Sequence, residues 1–452
     1  MTETRGWQAP DTATAGVLAV GLAATVALNW PGHLSFDSAE QLLEGRVGVY
    51  NTWHPPVMAW LLGLFDRAVA GAGLFVVFDA ALAFGALGAL LFLGRARWLS
   101  AAIALGVVLL PQMLLYQGIV WKDVLFADAA VGGFTALALV AARWHRGGEA
   151  ATVAMLLLLS LAALTRQNGV LLLPFAAGGL TWIARLCGNS WRTALVAGGG
   201  SLAVMLTIVG AATLALDRRS DGASGPSEQL HVLALYDLSG ATALDRGLNL
   251  EALAHADPDV ATAIRTRGAR LWTPLRNDPI MSDPAVQNAM AQQADPDALI
   301  SQWRALIRDH PWTYLRVRVA DFLEVFATPE IAGARPVFTG IEAPTSLLGP
   351  LHIAPRKDAR DRALDRYGKA LFGTPVWSHP VFALAGLASL IVLLRRRRPA
   401  DIAMAALLAG AFAFTASFFV ISISCDYRYL YALDLSALIA LFYLSLDTRE
   451  AL

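Results

Sequence analysis

Three ionisable side chains lie close together in one short polar stretch of the sequence. Asp37, Glu40 and His54 occur within "GHLSFDSAEQLLEGRVGVYNTWHPPV", residues 32–57, which we call the first polar loop. A carboxylate such as Asp37 can take a proton from a hydroxyl or amine as a general base. His54 could donate to a phosphate or bind a metal, and Glu40 could contact a substrate. The structural alternatives are that Ser35 or Asp37 caps a short helix and that "WHPP" begins another.

Lys122 and Asp123 form a second polar pair, in "VWKDVLF". Lys122 is the only lysine before Lys357, although arginine is frequent in the chain. Together the two side chains could hold a phosphate and a polar partner. The structural alternative is a plain helix start, where an aspartate complements the helix dipole and a lysine extends to the membrane interface.

Two further motifs carry arginine. Arg166 and Asn168, in "LTRQNGVLLLP", stand between two apolar runs with almost no loop. A charge at such depth is costly and is usually functional, and arginine suits bidentate phosphate contacts; the alternative is a short hairpin with an interfacial arginine. Tyr427 and Arg428 follow in "CDYRYLY", where aromatic residues also occur as an ordinary interfacial belt.

Apolar segments must hold these polar groups at a membrane surface. Ten segments approach the roughly 20 residues that cross a bilayer as a helix, so we predict about ten transmembrane helices. The predicted spans are 13–30, 73–94, 98–115, 124–142, 150–165, 169–186, 193–216, 377–394, 401–421 and 429–446. Val57–Ala70 is also apolar, but it is short and is interrupted by Asp66 and Arg67. We predict an interfacial or partly re-entrant helix there.

Arginines in alternate short loops indicate the orientation of the spans. They occur at residues 95–97, 143–146, 185–192 and 395–398. All four loops fall on one face, and positive charge in short loops marks the cytoplasmic face. The first polar loop, the Lys122–Asp123 pair and the two arginine motifs then lie on the extracytoplasmic face.

Composition excludes a large soluble enzyme. The chain of 452 residues is 56% hydrophobic and 15% charged, with a mean hydropathy of +0.52, whereas soluble domains carry about 25% charged residues. A net charge of +0 gives no indication of nucleic acid binding. Cys187 and Cys425 fall on opposite predicted faces and form no metal-binding pattern. The N-terminus lacks a strongly basic segment, so we predict a retained anchor and not a cleaved signal peptide.

The charged residues concentrate in one insert. Between Asp217 and Pro375 the sequence holds 20 acidic and 18 basic residues. Apolar residues at three- and four-residue spacing, such as Leu299, Trp303 and Leu306, predict helices there. We therefore predict an N-terminal transmembrane module with catalytic loops, a mainly helical soluble extracytoplasmic domain and C-terminal transmembrane helices. The limits of these parts are 1–216, 217–376 and 377–452.

The polar motifs are weak singly, but they share one face. Acidic residues in the first polar loop, a Lys–Asp pair and two arginine motifs predict a cationic, carboxylate-bearing cavity at the lipid boundary. Such a cavity suits a substrate with a phosphate head and a long apolar tail.

The order of these motifs resembles the GT-C superfamily of membrane glycosyltransferases, which use polyprenyl-phosphate sugars, similar to the dolichyl-phosphate-mannose-protein mannosyltransferase type. The resemblance covers the organisation of the whole chain. By this resemblance, Asp37 in "SFDSAEQ" matches the first acidic motif and its catalytic base, and Asp123 in "WKDVLF" matches the second. "TRQNGVLLLP" matches an arginine-bearing segment and "DYRY" a late phosphate-contacting arginine. The expected fold is an all-α polytopic membrane protein with juxtamembrane helices in the first polar loop.

The resemblance implies transfer of a sugar from a polyprenyl-phosphate-linked donor to a glycan, lipid or protein acceptor at the extracytoplasmic face. Asp37 would be the general base of an inverting displacement, and Lys122, Arg166 and Arg428 would stabilise the leaving phosphate. No cofactor is certain. A divalent metal is left open, because the first motif is Asp-Ser where many members have two acids, and one carboxylate is a poor metal site. The expected location is a bacterial-type plasma (inner) membrane, with membrane lipid as a partner and no nucleic acid.

Two other functions stay open at this point. A secondary transporter or flippase of a lipid-linked or anionic substrate would place charges along a path and would show repeats or broken helices. No repeat is visible, and the charges gather at one face. A lipid-modifying ligase or phosphotransferase would use the same lipid with different chemistry.

Overall fold

The computed structural model describes residues 6–51, 53–220 and 226–448, and these residues are mainly helical. The helices are α1 Ala9–Asn29, α2 Phe36–Val47, α3 Val57–Ala68, α4 Gly73–Leu90, α5 Trp98–Leu109, α6 Pro111–Leu114, α7 Lys122–Ala142, α8 Glu149–Thr165, α9 Leu172–Leu186, α10 Trp191–Asp217, α11 Pro226–Leu244, α12 Glu251–Ala256, α13 Pro258–Ala263, α14 Ala269–Leu271, α15 Asp278–Met281, α16 Pro284–Ala291, α17 Pro296–Asp309, α18 Pro311–Ala327, α19 Thr345–Leu351, α20 Ala359–Ala370, α21 His379–Arg396, α22 Pro399–Ile421 and α23 Tyr431–Ser445.

The chain forms two compact units. The first consists of Met1–Asp221, Val337–Phe414 and Leu430–Leu452, and the second of Gly222–Pro336 and Thr415–Tyr429. These units follow contacts within the chain, whereas the three parts expected from the sequence were divided by membrane and extracytoplasmic location. The expected limits therefore stay a prediction.

Eight helices of the described residues are long and apolar enough to cross a membrane. A ninth candidate is the pair Trp98–Leu109 and Pro111–Gly118, which is bent by 62°. The helix α8 is apolar but has only 17 residues. Each of the ten predicted spans coincides with one of these helices, and the prediction of an all-α polytopic membrane protein is confirmed.

Helix α7 lies at the centre of the first unit, and nearly all of its side chains are buried. Its sequence is apolar on every side, as expected for a helix surrounded by others. It packs against α4, α8, α9 and α23. Because α7 begins at Lys122, this packing fixes the depth and direction of Lys122 and Asp123.

The first polar loop contains α2 and leads directly into α3, so the prediction of short helices there is confirmed. The two helices touch at Gly45 and Gly63, where a Cβ on Gly45 would lie 2.6 Å from the backbone nitrogen of Gly63. Arg46 closes the pair, because its Nε and Nη2 donate to the two carboxylate oxygens of Asp66 at 2.8 and 2.6 Å. This tight hairpin gives the loop a fixed shape.

Residues 340–356 of the first unit form backbone hydrogen bonds with the first polar loop and with each other. The backbone of Leu34 accepts from Glu342 at 2.9 Å and donates to Gly340 at 3.0 Å. Ile341 in turn exchanges two backbone hydrogen bonds with Arg356. The apolar side chains of both segments share one buried cluster, which includes Leu34, Leu42, Leu62, Ile341, Leu348 and Leu351.

The second unit is built around α11. This helix packs against α17, α18 and a π-helical turn, Ile264–Gly268. Leu299 and Leu306 of α17 are fully buried, as their spacing predicts, and Trp303 packs against the same core. The unit therefore has an apolar core of its own.

Candidate active site

Two side-chain hydrogen bonds join the start of α2 to the start of α7. The hydroxyl of Ser38 donates to the carbonyl oxygen of Val120 at 2.5 Å, and the indole Nε1 of Trp121 donates to the hydroxyl of Ser35 at 3.0 Å. We call these two contacts the α2–α7 clamp. Asp37 lies between the two serines, in the first turn of α2, and is partly buried. The clamp therefore holds Asp37 beside the residues that directly precede Lys122.

Ser35 is the residue that precedes α2, so Ser35, not Asp37, occupies the cap position. Its backbone nitrogen donates to the hydroxyl of Ser38 at 3.3 Å. Of the two alternatives for the cap, the structure selects Ser35. The carboxylate of Asp37 is one residue inside the helix, where the positive end of the helix dipole favours its charge.

Lys122 and His54 form a second contact at this place. The Nζ of Lys122 lies 2.8 Å from Nδ1 of His54, which comes from the turn before α3. An ammonium group can only donate, so Nδ1 is the acceptor and the proton of a neutral imidazole sits on Nε2. The pair then offers two kinds of donor, a charged amine and a neutral ring N–H.

Arg166 and Asp123 form an ion pair that neither motif alone predicts. Asp123 is almost fully buried, and the side chain of Arg166 is only 10% exposed. The guanidinium carbon lies 5.6 Å from the ring centre of Phe414, which stacks on Phe126 of α7 at 4.3 Å. A buried carboxylate requires a positively charged partner. The ion pair with Asp123 therefore fixes the position of the Arg166 guanidinium. Asn168 follows in a 3-10 turn after Arg166.

Glu40 lies one helical turn after Asp37 on α2, on the same face. Partial burial, with a further contribution from the charge of Asp37, raises the pKa of the Glu40 carboxyl.

Tyr427 and Arg428 belong to the second unit. Tyr427 is fully buried, and its backbone nitrogen donates to the carbonyl of Ala334 at 2.7 Å. Arg428 forms an ion pair of 3.3 Å with Asp426, which Arg276 also contacts at 3.3 Å. The placement of Tyr427 and Arg428 beside the motifs of the first unit stays a prediction.

His33 is a residue of the site region that the sequence motifs did not single out. Its Nε2 lies 2.8 Å from the side-chain oxygen of Asn29, and its Nδ1 accepts from the backbone nitrogen of Gly340 at 2.8 Å. Burial lowers the pKa of His33 to about 3, although the Asp361 carboxylate opposes the shift. The neutral ring of His33 thus connects the first polar loop to Gly340, which lies 307 residues later in the sequence.

Two buried acids inside the bundle were also missed. Asp79 of α4 and Asp128 of α7 are fully buried and interact with each other. The side-chain nitrogen of Gln117 donates to Asp128 at 2.9 Å and lies 2.9 Å from the hydroxyl of Tyr431. The sequence did contain a signal for these two residues, because each is an acidic residue within an otherwise apolar run.

No three His, Cys, Asp or Glu side chains lie close enough to hold a metal ion within the described ranges. Near the clamp the carboxyl groups are those of Asp37, Glu40 and Asp123. Asp123 is already paired with Arg166, so its oxygens face a guanidinium group. The donor set therefore fits a divalent cation poorly.

Comparisons with known proteins give the following results. No family model matches the sequence, and no curated protein matches it. Among solved structures, the chain is similar to the archaeal oligosaccharyltransferase AglB from Archaeoglobus fulgidus in complex with an inhibitory peptide and a dolichol-phosphate, at 15% identity and a TM-score of 0.39, over 95% of this chain and 50% of that one. A structure of the A. fulgidus oligosaccharyltransferase with Zn and sulfate gives 15% identity and a TM-score of 0.40, over 95% and 48%. The chain spans about half the length of the solved structures it matches.

Proposed function

We propose that the protein is a membrane glycosyltransferase of the GT-C type. It moves a sugar from a polyprenyl-phosphate-linked donor to an acceptor at the extracytoplasmic membrane face. The observation that supports the proposal is the α2–α7 clamp, since it joins the helical turn that contains Asp37 to the two residues that directly precede Lys122. A proton acceptor next to cations at the end of a membrane helix suits a substrate with a phosphate head and an apolar tail.

In the proposed reaction Asp37 removes the proton of the acceptor hydroxyl or amine as its oxygen or nitrogen attacks the anomeric carbon. The bond between that carbon and the phosphate oxygen breaks, and the polyprenyl phosphate leaves with the bonding electrons. A single displacement inverts the anomeric centre. The proton stays on Asp37 until solvent removes it, so atoms and charges balance without a nucleotide.

The cations stabilise the negative charge that develops on the leaving phosphate. Lys122 supplies a positive charge, and His54 supplies a neutral N–H through its Nε2. Arg166 supplies a planar donor pair suited to phosphate oxygens. Asp123 orients Arg166 through the ion pair and does not need to touch the substrate.

The remaining predicted site residues complete the proposal. Glu40 and Asn168 contact the sugar or the acceptor, and Tyr427 and Arg428 contact the phosphate of the donor. The acceptor is a glycan, a lipid or a protein, and the membrane is a bacterial-type inner membrane. No step is assigned to a divalent metal, because the carboxylate of Asp123 is already paired with Arg166.

The test is a transfer assay on the purified, detergent-solubilised full chain. A panel of radiolabelled polyprenyl-phosphate sugars is supplied, and label that leaves the lipid is counted. Asp37→Asn should abolish transfer, because the amide cannot accept the proton, while the melting temperature stays close to that of the parent. Glu149→Gln is the matched control, since Glu149 is an exposed carboxylate of the same unit at the start of α8.

Full turnover by Asp37→Asn would show that Asp37 is not the base. A donor that stays intact but exchanges across vesicles that contain the protein would instead support the transporter. Label that moves together with the lipid phosphate would support a phosphotransferase.

A further inference from the structure

The second unit carries an open cavity of about 350 Å3 beside α11. The side chains of three arginines and two threonines line it. They are Arg246, Arg265, Arg270, Thr242 and Thr266. Neither the sequence motifs nor the proposed transfer step uses any of these residues.

The three arginines are exposed, and none of them forms an ion pair within the described ranges. Two other arginines of the unit, Arg267 and Arg276, are paired with Asp283 and Asp426. Arg265 has only a long contact of 3.4 Å to a backbone carbonyl. Three like charges that face one cavity without a carboxylate repel one another. The arrangement is one that a bound anion would stabilise.

The wall of the cavity is held in place by close backbone packing. The π-helical turn approaches α11 at Gly268, where a Cβ would lie 2.4 Å from the hydroxyl oxygen of Ser239. Thr242 follows Ser239 by three residues and therefore lies on the same face of α11. π-Helical turns occur often at functional sites. The turn and α11 thus present their arginines from two fixed backbones.

The threonines add acceptors to these donors. The hydroxyl of Thr242 donates to the carbonyl of Leu238 at 2.7 Å, and that of Thr266 donates to Thr262 at 2.8 Å. Each hydrogen is therefore used within its own helix, and the oxygen lone pairs can accept from a ligand. A ligand that suits the cavity combines anionic oxygens with hydroxyl donors.

We propose that this cavity binds a phosphorylated sugar. The phosphate contacts the three arginines, and sugar hydroxyls donate to Thr242 and Thr266. A volume of about 350 Å3 exceeds what inorganic phosphate alone would fill and lies at the lower end of the range of small-molecule sites. On the proposed glycosyl transfer, on which this further step rests, the acceptor is then a phosphate-bearing glycan.

Binding is tested with the detergent-solubilised full chain and with glucose 6-phosphate as the probe, by calorimetry at low salt. Single variants Arg246→Gln, Arg265→Gln and Arg270→Gln should each raise the Kd roughly tenfold, because each removes a charged hydrogen bond. The triple variant should abolish binding. Arg304→Gln is the matched control, since Arg304 is exposed on α17 of the same unit, outside the cavity.

Three further probes separate the sources of the anion. Inorganic phosphate and glucose should each bind at least about tenfold more weakly than glucose 6-phosphate if both halves of the ligand are recognised. The proposal is overturned if inorganic phosphate binds equally well, if the triple variant binds like the parent, or if only anionic lipid vesicles bind.

The binding test is independent of transfer, because it uses no donor. Asp37→Asn protein should bind glucose 6-phosphate as the parent does. If Asp37→Asn retains transfer while the arginine variants lose binding, the proposed catalytic base fails and the phosphorylated-sugar site stands. If the arginine variants leave binding unchanged while Asp37→Asn loses transfer, the site fails and the base stands.

Discussion

The hydroxyl of Ser38 donates to the carbonyl oxygen of Val120 across 2.5 Å and 82 residues of sequence. One end of this bond is a neighbour of Asp37, and the other end lies two residues before Lys122. This buried bond is therefore one of two that link the turn of the proposed base to the residues before a proposed phosphate contact. Its loss should loosen the distance between the two groups without removing either of them.

Ser38→Ala should lower kcat roughly tenfold with a smaller effect on the KM for the donor. The reason is that a buried hydrogen bond contributes about 1 kcal/mol and its loss leaves the Val120 carbonyl without this donor. Steady-state transfer kinetics and thermal melting measure the two effects. Trp121→Phe, which removes the other bond of the clamp, should act in the same direction.

Ser100→Ala is the matched control for this prediction. Ser100 is also buried, and its hydroxyl donates to the carbonyl of Ser445 at 2.9 Å, between α5 and α23. Both serine variants should lose a similar amount of stability, but only Ser38→Ala should lose turnover. Equal turnover in the two variants would mean that the clamp does not position Asp37.

Arg166→Gln should abolish transfer and destabilise the protein, since breaking a buried ion pair costs about 3–5 kcal/mol. Asp123→Asn should do the same. The double variant should recover stability relative to the sum of the singles, because no lone charge stays buried, yet it should recover no activity. A double-mutant cycle by chemical denaturation, together with transfer assays, measures both.

The ion pair of Arg46 with Asp66 provides the control for this cycle. Arg46→Gln also breaks an ion pair of the first unit, between α2 and α3. It should lower stability while transfer persists in the folded fraction. If Arg166→Gln keeps transfer at the level of Arg46→Gln, the phosphate role of Arg166 is wrong.

The pH dependence of stability should show that the ring of His33 is buried in its neutral form. Burial lowers its folded pKa to about 3 from an ordinary value of 6.5. Stability from the neutral ring is therefore complete above pH 6.5 and is lost as the pH falls towards 3. The loss should reach roughly 3 kcal/mol at pH 4. Denaturation from pH 7 to 4 should be steeper for the parent than for His33→Asn, and equal slopes would contradict the buried neutral ring.

Asp321 of the second unit should give stability the opposite pH dependence to that of His33. Burial raises its pKa to about 7, although the Arg318 guanidinium opposes the shift, and Arg318 also pairs with Asp237. Folding then favours the protonated carboxyl, so stability is lost as the pH rises from about 4 through 7. Between pH 5 and 8 the titration of Asp321 alone should cost the unit roughly 3 kcal/mol.

Hydrogen–deuterium exchange in α11 and α18 measures this loss locally. Asp321→Asn keeps an oxygen that can accept from Tyr236, which donates to Asp321 at 2.8 Å in the parent. Protection factors, which are observed rates divided into the intrinsic amide exchange rate at the same pH, should depend less on pH in the variant than in the parent. Lower protection at pH 5 than at pH 8 in the parent would reverse the predicted sign.

The local sequence pattern was sufficient to predict the helices and the positions of the polar motifs relative to them. Each of the ten apolar runs coincides with a helical segment, because a membrane helix needs only its own backbone hydrogen bonds. Within the described residues, eight of these helices are long and apolar enough to cross a membrane, or nine with the bent pair. Lys122 and Asp123 were predicted at a helix start, and α7 begins at Lys122. The contact of His54 with Lys122 agrees with their predicted shared face. The chemical roles of these residues stay predictions.

Long-range pairing could not be predicted. Both Arg166 and Asp123 were candidates, but nothing in either motif indicates that each is the other's partner. His33 was overlooked because its partner Gly340 is 307 residues away, and a backbone nitrogen carries no sequence signal. The three arginines of the second unit lie in stretches that look like ordinary solvated helix faces. Their convergence depends on how α11 packs against the π-helical turn.

The second unit draws on two separate stretches of chain, Gly222–Pro336 and Thr415–Tyr429. During synthesis, 78 residues of the first unit, Val337–Phe414, must leave the ribosome between them. Arg318 illustrates the delay, because its guanidinium donates to the carbonyls of Val420 and Ser422. The unit therefore cannot mature until most of α22 has been translated, and a truncation before residue 415 should expose it to proteolysis.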